Sequence, residues 1–301
     1  MKAVVLTRFG GPEELRLGEV DRPEPGPGQV RLRVRAVGVN PFDAKVRAGA
    51  MESAFTTPLP TVLGLEVAGE VDAVGPGVTG LSVGDEVFGW SDTGAYAEHA
   101  LATTVARKPE GLSWERAVTL PVAVETSDRA LRLLGVEAGE TVLVNGAAGG
   151  VGTMAVQLGV LAGLRVVGTA GPADQEYVAS LGATPTTYGD GLVERVRAVA
   201  PDGVDAVFDV AGRGALPAAI ELRGGTDRIV TIADPAAGEL GVVFTHGPEE
   251  RSADRLADLA EPAAKGELRT SVAATFPLAE AAEAHRLIAG GHGPGKVVLI
   301  P

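Results

Sequence analysis

Asn145-Gly146-Ala147-Ala148-Gly149-Gly150-Val151-Gly152 is the segment of this 301-residue chain with the clearest capacity for chemistry. It follows a short apolar run, Thr141-Val142-Leu143-Val144, and precedes a helical pattern from Met154 to Ala162. Ala147, Gly149 and Gly152 fit G-x-G-x-x-G with alanine in first place, set between a strand and a helix as that motif requires. At Gly149 the backbone can approach a pyrophosphate, and at Gly152 helix and strand can pack closely. The free N–H groups of the first helical turn, at Gly150 and Val151, would hold the phosphates. The pattern predicts a dinucleotide, with a purely structural turn as the alternative. An acidic residue that binds a ribose 2′-hydroxyl is expected at the end of the next strand. Here that end reads Thr169-Ala170-Gly171-Pro172, which favours NADP(H) over NAD(H).

Other chemistries are excluded by composition. With no cysteine there is no disulfide, thiolate nucleophile, iron–sulfur cluster or thiolate-bound zinc. The four histidines, His99, His246, His285 and His292, lack the spacing of a zinc hydrolase. Neither Tyr96, Tyr177 nor Tyr188 is followed four residues later by lysine, against a short-chain dehydrogenase. Twenty-six basic against 39 acidic residues, a net charge of −13, disfavour nucleic acid as a partner. No apolar run approaches the ~18 residues of a membrane span, and the first residues are too short an apolar run for a signal peptide, so a cytoplasmic protein is expected.

The elements that must position the turn fall into two groups. Up to about residue 110 the chain is β-rich: Val30, Leu32, Val34 and Ala36 alternate with Arg31, Arg33 and Arg35, which predicts a half-buried strand with a solvated arginine face. Strands around Glu66–Val74 and Glu86–Gly89, punctuated by Gly and Pro, predict a small barrel-like domain. From about residue 123 strands alternate with helices, which predicts parallel βαβ units. The fold class expected is therefore α/β, and the length suits about two domains at ~150 residues each. A late amphipathic helix, Ala279 to Ile288, and a strand, Lys296 to Ile300, close the chain.

Set together, Gly38-Val39-Asn40-Pro41-Phe42-Asp43, Leu63-Gly64-Leu65-Glu66-Val67-Ala68-Gly69, Val83 to Gly89, Gly94-Ala95-Tyr96-Ala97-Glu98, Asn145 to Gly152, Leu181-Gly182-Ala183 and Gly295 to Leu299 form an ordered series along the whole chain. In this the chain resembles the zinc-independent quinone oxidoreductase branch of the medium-chain dehydrogenase/reductase superfamily. The resemblance implies a GroES-like β-barrel catalytic domain, residues 1–122 and 265–301, and a Rossmann dinucleotide-binding domain, residues 123–264. It implies a homodimer, a nicotinamide cofactor lying across the cleft of the two domains, and hydride transfer from NADPH to quinones or activated enones. Zinc-dependent relatives carry cysteine where Asn40 stands and histidine where Leu65 stands, and neither residue here replaces those ligands, so no metal is expected.

On the same resemblance Asn40 and Thr126 lie near the nicotinamide and are the expected catalytic pair. Ala147, Gly149, Gly150, Val151, Gly152, Thr169, Ala170, Gly171, Tyr188 and Ile232 are expected to join them around the cofactor. Plainer roles stay open: turn chemistry before Pro41 for Asn40, an exposed helix start for Thr126, a core aromatic for Tyr188 and an ion pair with Lys45 for Asp43. Two departures from the family stand out. Glu125 and Asp128 place carboxylates beside Thr126, on solvent or in the cleft. Asp174-Gln175-Glu176 offers no cation for a 2′-phosphate where relatives often have lysine. An enoyl-thioester reductase and a non-catalytic NADP(H)-binding protein are the competing functions.

Overall fold

The computed structural model describes residues 1–247 and 251–301, which divide into two compact units. The first unit comprises Met1–Val122, Arg251–His292 and Lys296–Pro301. It begins with β1 (Lys2–Leu6), β2 (Leu15–Glu19), β3 (Val30–Val39), α1 (Pro41–Arg47), β4 (Thr61–Val62), β5 (Glu66–Val74), β6 (Glu86–Trp90), β7 (His99–Ala102) and β8 (Val105–Arg107), then α2 (Trp114–Ala117). A long helix, α3 (Pro121–Leu134), carries the chain into the second unit.

That unit, Ala123–Glu250 with Gly293–Gly295, contains β9 (Thr141–Asn145), α4 (Gly150–Leu161), β10 (Arg165–Ala170), α5 (Gln175–Ser180), β11 (Thr184–Thr187), α6 (Leu192–Val199), β12 (Ala206–Asp209), α7 (Leu216–Arg223), β13 (Ile229–Thr231), α8 (Ala237–Leu240) and β14 (Val243–Phe244). The chain then returns to the first unit through α9 (Ala253–Ala264), β15 (Val272–Pro277), α10 (Ala281–Gly290) and β16 (Lys296–Ile300). The return begins at Arg251 rather than at the expected 265, because α9 packs on β8.

In the first unit β16 lies between β15 and β3, followed across the sheet by β5, β6 and β8. A strand from the end of the chain is thus hydrogen-bonded to one from its beginning, with Val298 opposite Gly38. Val37, Val67, Val71, Tyr96, Leu278, Ala284 and Leu299 bury one continuous core drawn from both stretches. The alternation in β3 is real, but Arg31 departs from the solvated face expected of it. Its side chain is buried between Asp72 and Glu24, both at 2.8 Å, while Arg33 and Arg35 reach the half-buried Glu70.

The second unit is a parallel sheet in the order β11-β10-β9-β12-β13-β14. Sequence order reverses at β9, as in a dinucleotide-binding Rossmann sheet, so a crevice is expected beyond the carboxyl ends of β9 and β12. Val142, Val144, Val166 and Phe208 enter one core, and Leu143, Val167, Val207 and Ile229 the other. Burial on both faces is why these strands read as continuous apolar runs.

Candidate active site

The glycine-rich turn joins β9 to α4, with Gly149 as N-cap and no side chain capping the helix. α4 starts at Gly150, so the N–H groups of Gly150, Val151 and Gly152 belong to the unsatisfied first turn of a 12-residue helix. A Cβ on Gly150 would meet nothing within 4 Å, and one on Gly149 only the Gly146 carbonyl at 3.6 Å. One on Gly152 would lie 2.0 Å from the Gly146 oxygen. Open space therefore faces the helix start, and close backbone packing lies behind it. These are the two glycine roles a pyrophosphate site requires, so the residues present fit a dinucleotide.

Ala147 is buried beneath the turn and its N–H donates to the Thr169 carbonyl at 2.8 Å. The Thr169 side chain is fully buried. Its hydroxyl donates to Asn145 Oδ1 at 2.7 Å and accepts the Gly146 N–H at 3.0 Å. Thr169 thus braces the turn from within. The brace continues along the strand ends, where Asn145 Nδ2 donates to Asp209 Oδ1 at 2.8 Å. Asp209 also accepts the Gly212 N–H at 2.9 Å and the Thr231 hydroxyl at 2.7 Å. No motif marks Asn145, Asp209 and Thr231 as partners; their positions at the ends of successive apolar strands were the available signal. Ile232 follows β13, half-buried, with its N–H on the Asp209 carbonyl.

At the end of β10, Ala170 is buried and Gly171 half-buried. Gln175 holds this end to β11 by donating to the carbonyls of Ala170, Gly171 and Thr186 at 2.8–3.1 Å. Tyr188 is exposed and no core aromatic; a Cβ on Gly171 would lie 3.6 Å from its hydroxyl. Beside it stands a cation that no local motif marks. The Arg195 guanidinium donates to the carbonyls of Thr187, Tyr188, Gly189 and Asp190. It is supplied by α6 and not by the segment around Gln175.

In the first unit Asn40 follows β3 and is the N-cap of α1, with its N–H on Asp43 Oδ2 at 2.8 Å. Its side chain is buried and held at both ends. Nδ2 donates to Glu66 Oε1 at 3.0 Å, and Oδ1 accepts from Lys296 Nζ at 2.8 Å. Lys296 is also ion-paired with Glu66. Asp43 does not pair with Lys45, which is exposed; it accepts the Tyr96 hydroxyl at 3.2 Å. Tyr96 in turn meets His285 Nε2 at 2.9 Å, and Arg47 Nη1 meets His285 Nδ1 at 3.2 Å. An arginine can only donate, so Nδ1 accepts and the neutral ring carries its proton on Nε2. Burial pushes the Asp43 carboxyl up to about 7, Asn40's N–H opposing this and Glu66 adding to it. Burial, helped by Arg47, pushes His285 down to about 4.

Thr126 lies on α3, nearly buried, its hydroxyl 3.5 Å from Glu125. The two neighbouring carboxylates are neither bare nor simply solvated. Glu125 pairs with Arg129 at 2.7 Å and Asp128 with Arg132 at 3.0 Å, each one helical turn on. Arg129 also bonds the Thr245 hydroxyl. Among the described residues no helix is long and apolar enough to cross a membrane.

Residues 26–114 match the alcohol dehydrogenase GroES-like domain, and residues 181–299 match the family described as zinc-binding dehydrogenase. Human quinone oxidoreductase is 32% identical, over 100% of this chain and 98% of that one. An Arabidopsis thaliana protein, NADPH-dependent alkenal/one oxidoreductase, chloroplastic, is 34% identical over 100% of this chain and 80% of its own. Among solved structures, a mycobacterial protein complexed with NADPH superposes with a TM-score of 0.89 at 30% identity, covering 100% of both chains. The glycine-rich turn, the reversed strand order and full-length similarity agree: this chain is an oxidoreductase enzyme and belongs to the quinone oxidoreductase branch of the medium-chain dehydrogenase/reductase superfamily.

Proposed function

We propose that the protein catalyses zinc-independent, NADPH-dependent reduction of quinones or α,β-unsaturated carbonyls, as a cytoplasmic homodimer. The observation that carries the cofactor half is the uncapped start of α4 above the open Gly149–Gly150 turn. There the N–H groups of Gly150, Val151 and Gly152 hold the pyrophosphate. The Thr169–Asn145–Asp209–Thr231 chain keeps the turn from yielding when the anion binds. Three observations support NADPH over NADH. β10 ends without a carboxylate, the exposed Tyr188 brings its hydroxyl beside Gly171 while Arg195 sits on the Tyr188 carbonyl, and NADPH is the cofactor named for the Arabidopsis relative.

The bound nicotinamide supplies the hydride, and the chain supplies orientation and exclusion of water. Asn40, with one amide N–H left over after its bond to Glu66, donates to an oxygen of the nicotinamide ribose or of the substrate. Thr126 offers a hydroxyl to the carboxamide or a ribose. The reduced carbonyl needs a hydrogen bond as negative charge gathers on its oxygen, and a neutral amide provides one without itself losing a proton. Zinc independence is supported by Asn40 and Leu65, neither of which can replace a thiolate or an imidazole as a zinc ligand.

Paired NADPH and NADH titrations, followed by stopped-flow mixing with 1,4-naphthoquinone, a short enone and an enoyl-CoA, test this reading. NADPH absorbance should fall with the quinone or the enone. Unchanged absorbance with all three acceptors refutes the reading, and oxidation with enoyl-CoA alone assigns the thioester reductase instead. The homodimer is checked by light scattering on the purified chain.

A further inference from the structure

Lys296 and Glu66 form a buried ion pair in the first unit, and both grip the same amide. Glu66 is fully buried and Lys296 nearly so. A buried pair of this kind is weak support for stability, because desolvating two charges offsets their attraction and apolar replacements are often no worse. Stability alone therefore does not explain why charges flank Asn40. Their chemistry does. Lysine only donates and a carboxylate only accepts, so the side chain is fixed with Oδ1 toward Lys296 and Nδ2 toward Glu66. The ammonium at Oδ1 also draws electron density from the amide, which makes the remaining Nδ2–H a stronger donor. Glu66 has a further task. Its Oε2 accepts the Val122 N–H at 3.0 Å, in the first turn of α3, which carries Thr126 four residues on.

We propose that Lys296 is a positioning residue of the reaction, holding the Asn40 amide so that its remaining N–H is presented as a polarised donor to an oxygen of cofactor or substrate. The inference rests on the reading of Asn40 given above. Lys296 touches no reactant in this scheme and acts through Asn40.

A double-mutant cycle separates positioning from mere support. Asn40→Ala, Lys296→Met and the two combined are assayed for NADPH oxidation with 1,4-naphthoquinone, for NADPH binding by fluorescence titration, and for thermal midpoint. A further variant, Glu66→Leu with Lys296→Met, removes the ion pair without stranding a buried charge and keeps the test open if Lys296→Met alone fails to fold. Asn40→Ala and Lys296→Met should each lower kcat/KM by about tenfold or more, the loss expected when a hydrogen bond to a charged group is removed. The combined Asn40→Ala/Lys296→Met variant should be no worse than Asn40→Ala, since both remove one interaction. The apolar pair should fold and show the loss seen with Asn40→Ala. Losses that multiply in the combined variant overturn the proposal, as does a folded apolar pair with full activity. If Asn40→Ala is itself fully active, the role of Asn40 falls and this inference with it. If Asn40→Ala is impaired and Lys296→Met is not, only the inference falls.

Discussion

Asn145 and Asp209 end neighbouring parallel strands and are joined by a 2.8 Å hydrogen bond from Nδ2 to Oδ1. They meet where the strand order reverses, at the carboxyl edge from which an open α/β sheet binds its ligand. Asp209→Ala strands three donors, on Asn145, Gly212 and Thr231. Urea unfolding should show a loss of about 3–5 kcal/mol, the cost of leaving buried partners of a charged group unpaired. Asp209→Asn, which keeps a carbonyl oxygen, should lose less.

The glycines of the turn separate packing from binding. Gly152→Ala drives a methyl to 2.0 Å from the Gly146 oxygen, so the variant should lose about 1–3 kcal/mol as overpacked sites do, and bind NADPH poorly. Gly150→Ala meets nothing and should keep its thermal midpoint while its NADPH dissociation constant rises. Unchanged affinity in Gly150→Ala would remove the first turn of α4 as the phosphate site.

Arg195 is the discriminating cation in the proposed NADPH preference. Arg195→Ala should weaken NADPH by about tenfold, as loss of one charge-assisted contact to phosphate does, with NADH unaffected. An equal loss for both cofactors would show that the side chain serves only to brace the carbonyls after β11.

The Asp43–Tyr96–His285 chain makes an unusual stability–pH profile. Asp43 is raised from 3.8 to about 7, so the folded protein binds the extra proton and stability declines as pH rises across that window. His285 is lowered from 6.5 to about 4, so the unfolded chain binds the extra proton and stability increases with pH across its window. Glu66, Lys296 and Arg47 face the same cluster. The two slopes, each up to about 1.4 kcal/mol per pH unit, oppose one another over the shared range. His99, lowered by burial, adds a rising background in this range, so the variants are read against the parent: in urea titrations from pH 4.5 to 6.5, His285→Gln should shift the slope downward and Asp43→Asn upward. Equal slopes in all three proteins would exclude the coupling.

What could be read in the sequence was local. The turn from Asn145 to Gly152 is contiguous, and the strands beside it are apolar runs bounded by Gly and Pro, so motif and fold class were both legible. The side chains that hold the site are not. Lys296 lies 256 residues from Asn40, and nothing in either segment announces the other. Arg31 reads as one of three alternating arginines, yet its side chain is buried against Asp72. Arg195 carries no local signal either, since α6 supplies it and not the helix after β10. Glu125 and Asp128 look anomalous as letters and become ordinary once arginines four residues on neutralise them.

The place of β16 between β15 and β3 also sets an order of assembly. The second unit is nearly all one continuous stretch and can close on itself while the ribosome is still at work. The first cannot: β3 leaves the ribosome early and waits for a neighbour made some 250 residues later. Until then Glu66 has no ammonium to meet and Asn40 no anchor at its oxygen. A chain cut short before β16 would carry a finished cofactor fold beside an unfinished chemical one, exposed to the proteases that clear incomplete products.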